Sequence, residues 1–252
     1  MTDAPLPPFP FGIIMAPMPE PSPEEHRAMW RERYERVRPY MIDQWPQSVA
    51  ALSFPTKMIP VDVADMEILF DYQHPEWKAK AGALAAVLDE AMDWERHFVR
   101  LNNRSPKDAA ASLITCAGRQ AVDWITTSER CIDDVVMAKG AGSPLFVCLR
   151  EALHMHPDGE FRCFAKDGKV VAVSRYFHRT EPEHRPEAGT MLAAATRFYD
   201  AHLARHYPDV VFDLYAPGSD QEVLIEINPY GMSDPCLFDG YDDVERGGER
   251  LG

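Results

Sequence analysis

Two strand-like runs with acidic residues set inside them constrain this chain more than any other feature. The first is Val210-Val211-Phe212-Asp213-Leu214-Tyr215 and the second is Val223-Leu224-Ile225-Glu226-Ile227-Asn228-Pro229. Both are rich in β-branched and aromatic residues, which suit a pleated, half-buried surface. Pro217-Gly218-Ser219-Asp220 lies between them and reads as a turn, so the pair reads as a hairpin. Glu226 and Asn228 are two apart and therefore point to one face of their strand. A turn at 217–220 pairs Ala216 with Gln221 and Asp213 with Leu224, which places Asp213 on the face of Leu224, Glu226 and Asn228. Three oxygen ligands then converge, and two carboxylates so placed repel unless a cation lies between them. Carboxylate and amide oxygens suit Mg²⁺, which keeps waters and commonly takes phosphate oxygens as further ligands. The same pattern also fits the solvent-facing side of an ordinary hairpin, and Asn-Pro is a plain turn signal.

A second hairpin precedes the first. Glu160 to Ala165 and Lys169 to Ser174 flank Asp167-Gly168, a dipeptide that favours a two-residue turn. That turn pairs Lys166 with Lys169, Arg162 with Val173 and Glu160 with Arg175, so Arg162 and Arg175 are expected as diagonal neighbours on one face. A guanidinium inside a strand needs an anionic partner. Salt bridges to Glu160 meet that need, and so do phosphate groups, which the planar fork fits. Two more cations sit at strand-like positions. Arg100 lies in Phe98-Val99-Arg100-Leu101, and Lys139 ends the apolar run from Ile132, just before Gly140-Ala141-Gly142. With only seven lysines against 19 arginines, a lysine beside glycines is mildly notable, although taken alone it reads better as a surface residue.

Composition bounds the rest. A chain of 252 residues with 46% apolar residues can bury one large core or two small ones. A formal charge of −14 disfavours a broad surface for nucleic acid or anionic membrane but leaves room for a local cationic pocket. No apolar run reaches the roughly 18 residues that a membrane-spanning helix needs. Residues 1–23 hold eight prolines and read as a surface arm, or as a polyproline segment for a protein partner. Five cysteines at wide spacing read as reduced thiols in a cytoplasmic compartment. Cys148 and Cys163 read as small core residues, and His202 with His206 at helical spacing has no evident third ligand for zinc. Ser22-Pro23-Glu24-Glu25 reads as the start of a helix to about Arg38, with another from Ala83 to His97 and a third through Leu192 and Leu203. Asp108 to Leu113 can begin a helix, and Leu145 to Leu149 reads as a buried strand. The pattern is α+β with antiparallel hairpins in the second half.

In this order the motifs resemble the ATP-grasp superfamily and, within it, the cell division cycle protein 123 family. The matching stretches are Arg100-Leu101-Asn102 with Ser105-Pro106-Lys107-Asp108-Ala109, then Leu149-Arg150, Glu160 to Phe164, Val211 to Tyr215, and Ile225 to Pro229 followed by Leu237-Phe238. The resemblance covers roughly residues 45–245, within a domain expected at 24–245 after the Pro-rich arm and before a tail at 246–252. It implies two α+β subdomains enclosing a nucleotide, with Mg²⁺ bridging its phosphates. By position it implies Asp213, Glu226 and Asn228 as metal ligands and Arg162 and Arg175 as the residues facing the terminal phosphate or substrate. It implies Arg100 and Lys139 at the two phosphate-lysine positions and Lys107 in the loop over the phosphates. Val147-Cys148-Leu149-Arg150 would be the hinge whose backbone reads adenine. Arg100 stands where the family has lysine, Asn103 where it has tryptophan, and Glu226 where it has aspartate. The family is known as an assembly chaperone of eukaryotic translation initiation factor 2, which implies ATP, Mg²⁺ and a protein partner. The wider superfamily implies instead a ligase joining a small carboxylate to an amine or thiol through an acyl-phosphate. A hairpin-rich binding protein that uses no nucleotide is the third reading.

Overall fold

The computed structural model describes residues 22–184, 186–187, 189–217 and 222–252. The Pro-rich arm up to residue 21 and the tip of the expected turn at 217–220 lie outside the described residues. Ser22 caps α1 (Pro23–Val37) as its sequence suggests. Its Oγ accepts from the Glu25 amide at 3.2 Å, and the Glu25 carboxylate accepts from the Ser22 amide at 2.7 Å. These reciprocal bonds satisfy donors that a helix start leaves open.

Two sheets divide the chain. The first orders its strands β1-β4-β2-β3, from β1 (Thr56–Val61), β2 (His97–Leu101), β3 (Ile114–Thr115) and β4 (Leu145–Glu151), all antiparallel. One face of it meets four helices: α3 (Val63–Phe70), α4 (Trp77–Met92), α5 (Gly118–Thr127) and α6 (Glu129–Ala141). Val99, Leu101, Val147 and Leu149 enter that core, each fully buried. α4 begins before the expected Ala83 and stops at Met92, because Asp93 and Trp94 turn left-handed ahead of β2. Residues 108–113, where the sequence allows a helix start, form turns. At the α4–α5 contact, a Cβ on Gly118 would lie 2.1 Å from the Ala85 carbonyl oxygen, so only glycine permits the approach.

The second sheet orders its strands β8-β7-β5-β6-β9. These are β5 (Glu160–Lys166), β6 (Lys169–Arg175), β7 (Val210–Tyr215), β8 (Val223–Pro229) and β9 (Gly248–Arg250). α7 (Thr190–Phe198), continued by one π turn to Leu203, packs with Trp45 and with Val49 of the short α2 (Gln47–Ala50) on Phe161, Phe212, Leu214 and Leu224. β9 lies parallel to β6, so residues 246–252 are not a loose tail. A short α8 (Tyr241–Arg246) and Phe238 cover part of the other face, against Phe164 and Val211.

Both hairpins form, and both depart from the expected register, by one residue at Arg162 and by two at Asp213. Asp167 and Gly168 take positive φ, 52° and 74°, as a tight two-residue turn requires. Beyond Ala165, however, β6 carries one extra residue, Val171, so Phe164 opposes Ala172 and Arg162 opposes Ser174. β8 carries one extra residue, Ile225, so Leu214 opposes Leu224 while Asp213 opposes Glu226. These bulges decide which side chains share a face. Leu224 turns into the helix-covered core, while Asp213, Glu226 and Asn228 stay together on the other side.

A seam joins the sheets at one end. The Leu224 amide donates to the Leu52 carbonyl at 2.9 Å, and the Ser53 hydroxyl donates to the Leu224 carbonyl. Arg150 reaches across from β4, donating to the bulge carbonyl of Ile225 at 2.7 Å and to Ser53 Oγ at 2.6 Å. Its guanidinium lies over the Phe54 ring.

Candidate functional site

Charged side chains concentrate where the uncovered faces of the two sheets meet. β2 supplies Arg100 from the first sheet, because its neighbours Val99 and Leu101 turn into the helical core. The loop after β2 supplies Lys107. The second sheet supplies Arg162, Asp213, Glu226 and Asn228 from three adjacent strands, and Tyr176 from the end of β6. A cleft of about 330 Å³ opens here, lined among others by Lys107, Arg130, Arg162, Tyr176, Glu226 and Asn228.

The carboxylates already hold internal partners. Arg162 grips Asp213 with two bonds, Nε to Oδ1 and Nη2 to Oδ2, both 2.8 Å, and Asp213 is 1% exposed. Arg100 crosses between the sheets to Glu226, 2.9 Å away. Burial pushes the Glu226 pKa upward, but Arg100, Lys107 and Arg162 together outweigh it and bring it to about 2. Lys107 donates to the Tyr176 hydroxyl at 2.7 Å. Lys107 is exposed to the cleft, and although partial desolvation lowers its amine's affinity for a proton, the attraction of Glu226 with the bond to Tyr176 more than restores it. A further carboxyl, Glu160, lies on the same face two residues before Arg162. Burial first, then the charge of Asp213, raises its pKa to about 8.

This donor set fits a cation of the Mg²⁺ class. Two carboxylates and an amide on neighbouring strands are hard oxygen ligands. Among the described residues, no group of three or more His, Cys, Asp or Glu side chains could hold a metal ion alone. A cation at Asp213, Glu226 and Asn228 would complete its shell with waters or with oxygens of a ligand, and Arg100 and Arg162 compete with it for the carboxylates.

Three expectations need correction. Lys139 is not in the cleft. It lies in the last turn of α6, exposed and paired with Glu67 of α3 at 2.5 Å, because Ile132–Lys139 is a helix capped by Ser128 and ended by Gly142 at φ 64°. The lysine that does line the cleft is Lys107. Arg175 is not on the face of Arg162. The Val171 bulge sets it opposite Phe161, on the helix-covered side, where it stands 3.7 Å from Asp158. Asp158 lines a separate cavity of about 600 Å³, with Phe161, His184 and Met191, larger but remote from the carboxylates. Val147–Arg150 is not an open hinge. β4 pairs with β1 on one edge and β2 on the other through these four residues, so their backbone groups are engaged in the sheet. Cys148 is buried on the cleft side of β4, opposite Arg100, and burial pushes its thiol to about 12.

Sequence reasoning missed Tyr176 and gave Glu160 only the part of a salt-bridge partner. Tyr176 follows the β6 run and carries no motif. Glu160 gave a signal in hindsight, since its two-residue spacing from Arg162 puts both on one face.

The model of the D123 family matches residues 71–250, more than half of the chain. A translation initiation factor eIF2 assembly protein of Aspergillus oryzae is 33% identical over 99 residues, which is 38% of this chain and 24% of that protein. A protein of the same name from Danio rerio is 30% identical over 94 residues, 36% of this chain and 27% of that one. The chain thus matches about a quarter of the length of these curated relatives. The solved structure of Cdc123 from Schizosaccharomyces pombe superposes with a TM-score of 0.63 at 22% identity, covering 86% of this chain and 97% of that one. This likeness extends the common fold over most of the molecule.

Proposed function

The chain belongs to the D123 family, and on that premise we propose that its cleft binds a nucleoside triphosphate with Mg²⁺ in the service of protein-complex assembly. One observation carries the reading: Lys107 and Arg162 stand beside Glu226 and Asn228 in a single cleft between the sheets. In this reading Asp213, Glu226 and Asn228 hold Mg²⁺, and Arg100, Lys107 and Arg162 face the phosphates. The bound cation would neutralise phosphate charge, which is its general contribution to phosphoryl chemistry. The names of the curated relatives support a protein partner of the translation-factor kind. Three buried cysteines, Cys131, Cys148 and Cys163, support a reducing, cytoplasmic setting. Among the described residues no helix is long and apolar enough to cross a membrane.

The test is thermal unfolding with ATP, ADP and Mg²⁺. A ligand at a hundredfold excess over its Kd stabilises by about 2.7 kcal/mol. We expect a rise in Tm with Mg·ATP that Asn228→Ala and Lys107→Met remove. No rise at millimolar nucleotide overturns the reading. ADP release that appears only when a carboxylate and an amine or thiol are added would make the protein a ligase. A stable complex with one protein partner, without turnover, supports assembly.

A further inference from the structure

One tyrosine in the cleft carries two cations. The Arg162 guanidinium carbon lies 4.8 Å from the centroid of Tyr176, while Lys107 Nζ, 5.1 Å from it, sits beyond the hydroxyl that it bonds at 2.7 Å. A ring face attracts a cation such as Arg162, whereas Lys107 is held by the hydroxyl at the ring's end. Two like charges beside one ring also repel, so each needs an anion. Arg162 has one in Asp213. Lys107 is different. Among the described residues its ammonium donates to the neutral Tyr176 hydroxyl and pairs with no carboxylate. A phenol oxygen is a weaker partner for an ammonium than a charged oxygen is. The three residues come from separate elements, namely the loop after β2, β5 and the end of β6, so the ring also sets the distance between the two sheets at this point.

We propose that Tyr176 is a positioning residue that stores Lys107 and Arg162 as a two-cation clamp for the terminal phosphate of a nucleoside triphosphate. The clamp favours triphosphate over diphosphate. The hydroxyl keeps the place of a phosphate oxygen until the ligand arrives, and Lys107 then exchanges one oxygen for the other. This rests on the nucleotide reading above.

Two substitutions separate ring from hydroxyl, and two measurements separate the clamp from the nucleotide reading. Tyr176→Phe keeps the ring and Tyr176→Leu removes it. Without nucleotide, the rate at which an acylating reagent labels Lys107 is followed by peptide mass spectrometry. It should rise in both Tyr176→Leu and Tyr176→Phe, because each removes the hydroxyl that holds Lys107. With Mg²⁺, calorimetric Kd values for ATP and ADP give a selectivity ratio. That ratio should fall about tenfold in Tyr176→Leu and hold within about threefold in Tyr176→Phe. A loss of stability alone would not change the ratio between two ligands. Unchanged Lys107 labelling in Tyr176→Leu, or an unchanged ATP to ADP ratio, overturns the clamp. Wild-type protein that binds neither nucleotide overturns the reading of the cleft and the clamp's ligand with it, whatever Lys107 labelling shows.

Discussion

Removing the Asp213 carboxylate should unfold this protein more readily than any change at the cleft surface. Asp213 is 1% exposed and Arg162 is 6% exposed, and two 2.8 Å bonds join them. Asp213→Ala leaves a guanidinium in the interior with the Asp234 carbonyl at 3.0 Å and the Tyr176 ring. Breaking a buried pair from one side costs about 3–5 kcal/mol. For a chain of this size, each kcal/mol lowers Tm by roughly 2–4 °C. The expected fall is therefore about 6–20 °C by the same two relations. The double substitution Asp213→Leu with Arg162→Met removes both charges and should recover most of that loss, because well-packed apolar side chains replace buried ion pairs at little cost. Scanning calorimetry or urea unfolding of wild type, Asp213→Leu, Arg162→Met and the double variant forms a double-mutant cycle. A single-variant loss below about 1 kcal/mol, or a double variant as unstable as the sum of the singles, refutes the reasoning. The cycle also bears on function. Loss of nucleotide binding in Asp213→Ala would mix a missing metal ligand with a damaged core. Asn228→Ala, at a half-buried cleft position, leaves no buried charge behind and isolates the ligand role.

Two further outcomes follow from the electrostatics. Glu160 keeps its proton to about pH 8 in the folded chain, against an ordinary value of 4.5. The folded state then binds more protons than the unfolded one between those values, so this group's contribution to stability falls as pH rises through the window. Glu160→Gln should match wild type near pH 4 and exceed it by a few kcal/mol at pH 8 in urea unfolding, and equal stabilities at pH 8 would count against the assignment. Lys139→Ala should leave both Tm and nucleotide affinity within about 0.5 kcal/mol of wild type, because exposed ion pairs contribute little; a large loss of affinity would return Lys139 to the site.

The sequence showed the hairpins because their signals are local. Asp167-Gly168 selects its turn by backbone chirality alone, and the β-branched runs around Phe212 and Ile227 mark strands without reference to the rest of the fold. The bulges left no such mark. Val170-Val171-Ala172 and Leu224-Ile225-Glu226 read the same with or without an extra residue, yet each insertion reverses the face of everything beyond it. That is why Arg175 was expected beside Arg162 and is found across the sheet from it. Leu145 to Leu149 was legible as a strand, but how many neighbours a strand has depends on segments far away, here Thr56–Val61 and His97–Leu101. The pairing of Asp213 with Glu226 across the hairpin was legible in outline, since the error in register moved Leu224 and left the two acids on one side. Tyr176 was not legible at all. Its partners lie in a loop 69 positions earlier and on a neighbouring strand, and only the closed cleft brings them to it.

The seam at Ser53, Leu224 and Arg150 has a mechanical consequence. Because the Leu52 and Leu224 backbones and the Arg150 side chain tie the sheets together at one end, separation there would break several bonds at once. Arg100 with Glu226 lies beside this seam, and the loop after β2 adds further ties, Lys107 to Tyr176 and the Asn102 carbonyl to the Ile42 amide. Relative motion of the sheets is therefore opposed at this seam by the main chain as well as by side chains, so the cleft beside it is walled by two sheets that are not free to part there.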